Sequence, residues 1–383
     1  MQLQGTTAFL ETANHSLPPR QSALVKKAIQ VLQHNVVYDE TMPWGQKGCI
    51  VPCAEGFREI WNWDTAFHCV GVSRFDSQFA MEHMETYCNY QLDNGLFPDV
   101  IFASGKIVDN FGKPPVMAWA CEMVYRRSQD IDFLSRMYPR LAKNVDFWEN
   151  DRQYNGLFHY DAAPVDGVKR PLDVRYESGW DNSVRWDTEE PDLFWAIDLN
   201  CYMVMTYNAM AYLSSQLKLD PTVWQEKAVA LAQKINQTLW CEELHCYVDR
   251  NYRNGIFSRV LTPASFMPLY VGIASPDKAS WCAQIAQKKF AYGMPTVAYD
   301  DPEHSAGYWR GLTWLNVAYF AAKGLKDYGY CQLADRTRDT ILGWVEQDGD
   351  RIHENYNSIT GEGSGAKYFS WSAVFVLEFI LDF

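Results

Sequence analysis

What most limits the fold of this chain is a series of about twelve segments with apolar residues at helical spacing. Helices are expected over 20–36, where Leu24, Ala28, Val31 and Leu32 share one side, and over 64–72 and 77–92. Another starts at 114, with Pro114 and Pro115 in the first turn, where proline is tolerated, and runs to 127. Over 130–151, Phe133, Met137, Leu141, Val145 and Trp148 recur every three or four positions. Further helices follow over 193–217, 221–240, 263–274, 276–287, 311–323, 330–347 and 368–381. Strand signals are weak and local, at 246–248 and 255–258. No fixed period marks a solenoid and no low-complexity linker divides the chain. The expectation is an all-α fold with residues 1–383 as one domain. Twelve helices alternating between the inside and outside of a closed ring satisfy it economically, although periodicity alone closes nothing.

The connections carry the functional signal. Those over 44–63, 93–113, 151–192, 297–310 and 348–367 are rich in Gly, Pro, aromatic and acidic residues. Connections this long in a compact domain are usually functional or disordered, and their aromatic content argues against disorder. If each joins one helix to the start of the next, they gather at one mouth of the ring. Aromatics make up 15% of the chain, more than core filling alone explains, and Trp and Tyr offer flat faces with polar edges that suit sugar rings.

Composition excludes several partners. Net charge is −13 and no stretch concentrates Lys and Arg, which argues against nucleic acid and anionic membranes. No apolar run approaches the roughly 20 residues of a membrane span. The start, 1–18, has no basic segment followed by an apolar one, so no export signal is expected. The ten cysteines are scattered, as with Cys69, Cys88, Cys121 and Cys201 in apolar helical stretches. Free thiols and a cytoplasmic address follow. Cys49 with Cys53, and Cys241 and Cys246 around His245, match no zinc spacing, and calcium-loop and phosphate-loop patterns are absent. No metal or cofactor is expected.

Three carboxylates, Glu177, Asp181 and Asp187, fall within eleven residues beside Trp180 and Trp186. Gly179 interrupts regular helix there and permits a tight path. An Asp between two indoles is partly desolvated, which raises its pKa and suits it to protonating a leaving group. A loop-capping Asp with packed tryptophans is the competing reading, and residue types alone leave both open. Far downstream, Glu354 follows His353 and precedes Asn355 and Tyr356, offering a second carboxylate for activating water. A solvated loop carboxylate is again the alternative, and His353 reads as a loop histidine without catalytic duty.

The segment 177–187 resembles the acid-bearing signature of glycoside hydrolase family 63, shared more loosely with the trehalases of family 37. Trp61-Asn62-Trp63-Asp64 is similar to the family's aromatic-Trp-Asp segment, and Tyr308-Trp309-Arg310-Gly311 with Trp314 to its Tyr-Trp-Arg-Gly element. Glu354-Asn355-Tyr356, Thr360-Gly361 and Phe369-Ser370-Trp371 resemble its base motif. The four pieces run in order over about 60–375.

This resemblance implies an (α/α)6 barrel that hydrolyses an α-glycosidic bond with inversion, Asp181 acting as general acid and Glu354 as general base. Trp61, Trp63, Asp64, Phe97, Glu177, Trp180, Asn182, Trp309, Arg310, Trp314, Tyr356 and Trp371 become candidate substrate-binding residues. For Arg310, pairing with a carboxylate such as Glu177 is the alternative. Bacterial relatives often carry Gln before the Pro-Pro pair, where this chain has Lys113. The short chain favours a small carbohydrate, either glucosylglycerate, mannosylglycerate or a short oligosaccharide. Two rival readings remain, a sugar epimerase of the same barrel type and a non-catalytic sugar-binding protein. The epimerase needs histidine shuttles, and none of the eight histidines lies in 177–187.

Overall fold

The computed structural model describes residues 3–383. Residues 1 and 2, at the head of the 1–18 stretch in which no export signal is expected, lie outside the described residues. The helices in chain order are α1 (Thr6–Ser16), α2 (Pro19–His34), α3 (Asn62–Val72), α4 (Ser77–Cys88), α5 (Met117–Ser128), α6 (Ile131–Asp151) and α7 (Pro171–Ser178). They continue as α8 (Ile197–Gln216), α9 (Thr222–Thr238), α10 (Met267–Tyr270), α11 (Pro276–Lys289), α12 (Leu315–Asp327), α13 (Cys331–Gln347) and α14 (Ser370–Leu381).

Leaving aside α1 and α7, the helices alternate between an inner and an outer layer. The inner ones touch in a closed cycle: α3 on α5, α5 on α8, α8 on α10, α10 on α12, α12 on α14, and α14 back on α3. Burial follows the layers. Every residue of α3 is buried, as is Ser370–Phe379 of α14, so these helices are apolar nearly all round. The outer α6 instead buries one stripe, with Phe133, Leu134, Met137, Leu141, Val145 and Trp148 inward, and Asp130 caps its start by accepting from the Phe133 N–H at 2.7 Å. Outer helices α4, α6, α9 and α13 pack on α3, α8, α8 and α12, and α2 covers α14. This is an (α/α)6 barrel. No helix among the described residues is long and apolar enough to cross a membrane.

Several boundaries differ from expectation. Pro114 and Pro115 precede α5 and do not enter its first turn. The segment 263–274 is a 3-10 turn, Pro263–Phe266, running into the single turn of α10, because Pro268 lacks the N–H that a continuous helix from 263 would use. The helix expected from 193 starts at Ile197, since Phe194–Trp195 pairs antiparallel with Arg250–Asn251. The helix expected from 311 starts at Leu315, because Thr313 bridges to Tyr356. Helices α1 and α7 have no counterpart among the expected segments.

Candidate active site

The five long connections meet at the N-terminal ends of the inner helices and enclose a cavity of about 580 Å³ counting its open mouth. Pro52, Phe57 and Trp61 come from the first connection, Lys113 from the second, Gly179 and Asp181 from the third, Tyr308 and Trp309 from the fourth, and Glu354 from the fifth. Trp63 and Asp64 in the first turn of α3, Trp314, Phe369 and Trp371 complete the lining. The size suits a small ligand.

The aromatic wall is built ring on ring. Trp309 stacks on Trp314 with centroids 3.9 Å apart, and Trp371 meets Trp63 edge-on at 4.9 Å and Trp314 at 5.5 Å. The indole N–H groups of Trp61 and Trp371 have no protein acceptor.

Asp181 owes its place to the end of α7. Gly179 closes that helix in the left-handed region, at φ 73°, where a Cβ would also lie 2.4 Å from the Trp63 indole. The chain then turns on Ser178, whose hydroxyl accepts from the Trp180 N–H at 3.1 Å and the Trp186 indole at 3.0 Å. Arg185 anchors the turn from behind, fully buried against Asp198 and Asp249 at 2.8 and 2.9 Å. Asp181 keeps a partly open face on the cavity. Its desolvated setting raises its pKa, with Lys113 pulling the other way.

Glu354 is held differently. Its Oε1 accepts from the Tyr308 hydroxyl at 2.9 Å and its Oε2 from the Ala366 N–H at 3.1 Å. Gly365 stands beside it at φ 75°, where a Cβ would come within 2.3 Å of Oε2. Tyr308 itself lies in the left-handed region, at φ 63°, a conformation costly for a bulky side chain. Beneath, Asp348 binds His353 Nδ1 at 2.5 Å and accepts from the Tyr356 hydroxyl at 3.1 Å, fixing the turn. Burial raises the Glu354 pKa, its two hydrogen bonds oppose this, and Asp181 adds to it.

Two further acids stand near, Asp64 lining this cavity and Asp99 lining a neighbouring one. Burial pushes Asp64 up to about 7 and Asp99 up to about 6. Lys113 lies 3.1 Å from Asp99 and donates to the Tyr176 carbonyl. Burial works against its charge, but Asp99 and Asp181 outweigh that and hold it above the ordinary lysine value.

Of the sequence candidates, Asp181, Glu354, Trp61, Trp63, Asp64, Trp309, Trp314 and Trp371 come together in this cavity. Six others lie off its lining, contrary to expectation. Phe97 is core packing against Tyr87, with ring centroids 6.1 Å apart. Glu177 is fully buried, gripped by Arg152 at 3.0 Å and by the N–H groups of Asp161 and Gly112. Trp180 backs Trp309 at 5.1 Å. Asn182 staples the 307–309 turn, accepting from the Trp309 N–H and donating to the Gly307 carbonyl. Arg310 pairs with Asp187 and Glu303 at 2.8 and 3.0 Å, not with Glu177. Tyr356 is fully buried on Asp348. Sequence reading missed Tyr308, Phe57 and Phe369 as lining, although Tyr308 and Phe369 stand inside motifs quoted for their neighbours.

The chain and its fold have counterparts among known proteins. The chain is 23% identical to the mannosylglycerate hydrolase of Rubrobacter radiotolerans, across 95% of its own length and 98% of that protein. The crystal structure of the family 63 mannosylglycerate hydrolase from Thermus thermophilus, in complex with Tris and D-glycerate, shares the fold with a TM-score of 0.78 at 24% identity, covering 92% of this chain and 99% of that one. The neutral trehalase Nth1 from Saccharomyces cerevisiae has the same barrel at 15% identity and a TM-score of 0.71, over 97% and 83% of the two chains. The model of the mannosylglycerate hydrolase MGH1-like glycoside hydrolase domain matches residues 58–372, which is most of the chain, and the chain belongs to that family of glycoside hydrolases.

Proposed function

We propose that this glycoside hydrolase is an inverting, exo-acting α-glycosidase for a small α-linked glucoside or mannoside. The carrying observation is that Asp181, with no arginine partner, and Glu354, held at both oxygens by neutral donors, line one aromatic cavity. Asp181 passes its proton to the glycosidic oxygen as the bond to the anomeric carbon breaks. A water oxygen bonds that carbon from the opposite face and gives its proton to Glu354. The ring rests among Trp63, Trp309, Trp314 and Trp371, which exclude bulk water. Asp64 accepts from sugar hydroxyls.

The relatives named as mannosylglycerate hydrolases nominate mannosylglycerate, with glucosylglycerate and short oligosaccharides as the other members of the class. Hydrolysis of this kind needs only water, so no cofactor is invoked. Among the described residues lining the cavity there is no histidine, which deprives a proton-shuttling epimerase of its catalyst. Continuity of the ring from α2 to α14 supports one catalytic domain, and ten unpaired cysteines, nine of them buried, support a reducing, cytoplasmic setting.

The test is a panel of mannosylglycerate, glucosylglycerate, trehalose, kojibiose and nigerose, with the first product followed by NMR. The expected result is turnover with the β-anomer appearing first. First appearance of the α-anomer would make Glu354 a nucleophile, and binding without turnover on every substrate would leave only a sugar-binding protein.

A further inference from the structure

Beyond Trp61 a second cavity opens onto the same acid. It is larger, about 1310 Å³ counting its mouth, against about 580 Å³ for the first. Trp61, Lys113 and Asp181 line both, whereas Glu354 lines only the first. Asp181 therefore stands at a doorway, with Glu354 on one side of it. A glycosidic oxygen lies between the sugar that is attacked and the group that leaves, so its proton donor belongs at such a boundary. The attacking water and its base belong on the sugar's own side.

We propose that the second cavity is the leaving-group subsite and that it takes an uncharged sugar ring, not a small carboxylic acid. This rests on the glycosidase reading of Asp181 and Glu354. Its walls suit a ring: Phe111 and the partly exposed Tyr176 stand with centroids 6.3 Å apart, and Phe102 and Trp61 add further apolar faces. Its charges are balanced. Lys113 is committed to Asp99, and the exposed Lys106 and Arg170 share the lining with Asp109 and with Asp173, which accepts from Asn110 at 2.9 Å. With Asp181 protonated, three carboxylates, Asp99, Asp109 and Asp173, face three cations, Lys106, Lys113 and Arg170, so an entering carboxylate gains nothing net from the field. A hydroxylated neutral ring uses both kinds, donating to the carboxylates and accepting from the cations and the amide. After cleavage the oxygen protonated by Asp181 becomes a hydroxyl of the departing sugar.

The test compares kcat/KM of the full chain for α-glucosyl and α-mannosyl fluoride, for kojibiose, nigerose and trehalose, and for glucosylglycerate and mannosylglycerate. A fluoride leaving group fills no second cavity, so the fluorides report the glycosidase reading alone. The expected result is at least one disaccharide exceeding both glycosylglycerates by roughly tenfold or more, on the scale of one well-placed aromatic contact. A glycosylglycerate equal to or better than every disaccharide overturns the neutral leaving group while the fluoride turnover keeps the glycosidase reading. Fluorides and all other substrates untouched overturn both.

Tyr176→Ala supplies an independent arm. It should lower kcat/KM for the preferred disaccharide roughly three- to tenfold more than for the fluoride, and Tyr176→Phe should restore most of the difference. Equal losses on both substrates remove the second cavity from the leaving-group path.

Discussion

Glu177 and Asp181 stand four residues apart at the end of one short helix, and the barrel surrounds them with opposite company. Glu177 is sealed from solvent, with Arg152 on its oxygens at 3.0 Å and two backbone N–H groups completing its shell. Asp181 has no ion-pair partner and keeps one face on the cavity. Burial raises the pKa of both, but at Glu177 it is opposed by a guanidinium in contact, whereas at Asp181 it is opposed by a lysine already committed to Asp99. Desolvation by itself does not make a catalyst. A buried carboxylate with a full set of donors is a structural anchor, and one left short of donors in a cavity is free to exchange a proton.

The largest expected effect breaks the comparison on its chemical side. Asp181→Asn and Glu354→Gln should each lower kcat by about 10²- to 10⁴-fold, the usual contribution of general acid or base assistance, with the melting temperature nearly unchanged. Near-normal turnover in either purified variant would remove that residue from the mechanism. The structural side breaks in the opposite sense. Glu177→Gln leaves the Arg152 charge buried without its counterion and should cost about 3 kcal/mol of stability. Chemical denaturation measures this, and kcat of the folded fraction should hold. A fall in kcat with unchanged stability would show that Glu177 reaches the substrate.

Asp64 sharpens the contrast because it belongs to both sides. It lines the cavity, yet burial holds its pKa near 7 with Lys113 opposing and Asp99 and Glu354 assisting. The folded state thus keeps a proton that the unfolded chain releases near pH 3.9. Stability from this group is present below pH 4 and drains away as pH rises to about 7. Asp64→Asn should therefore stabilise the protein at pH 8, by at most about 4 kcal/mol, and have little effect at pH 4. The same variant should lose activity as a sugar-hydroxyl acceptor disappears. Melting curves at the two pH values decide it: a gain independent of pH would mean that Asp64 is not the titrating group.

The ring of helices was legible because its signal is repetitive. Each inner or outer helix restates the same spacing, so errors at single boundaries, such as Pro114 or Gly311, leave the alternation intact. The site was legible in part, because Trp and acidic residues in long connections mark a mouth. Which of them face the cavity was not legible. Glu177 and Asp181 differ by their partners, and Arg152 lies 25 residues from Glu177 with nothing in the spacing to pair them. Arg310 is equally mute about its partner, and the fold gives it Asp187 and Glu303 in place of Glu177. Tyr308, which reaches Glu354, has its backbone in the left-handed region, which no residue type announces. The second cavity is assembled from connections over 93–113 and 151–192, whose mutual approach depends on α7, a helix that no periodicity reveals.

Lys113 gives the smallest effect and the finest test of the comparison, because it sets how free Asp181 is to keep its proton. Its ammonium favours ionised Asp181, and so works against a general acid. In Lys113→Gln that pull disappears. Asp99, 3.1 Å away from the lysine in the native protein, also loses its counterion and, already raised by burial, takes up a proton more readily, so it brings no compensating positive charge to Asp181. With the ammonium gone, the Asp181 pKa rises. In the pH profile of kcat/KM, the limb at which activity is lost on raising pH reports the acid that must stay protonated, so it should move to higher pH. The limb at low pH reports Glu354, on which Lys113 is not among the acting charges, and it should move less. A shift of the high-pH limb downward, or equal movement of both limbs, would mean that the proton donor is not the carboxylate beside Lys113.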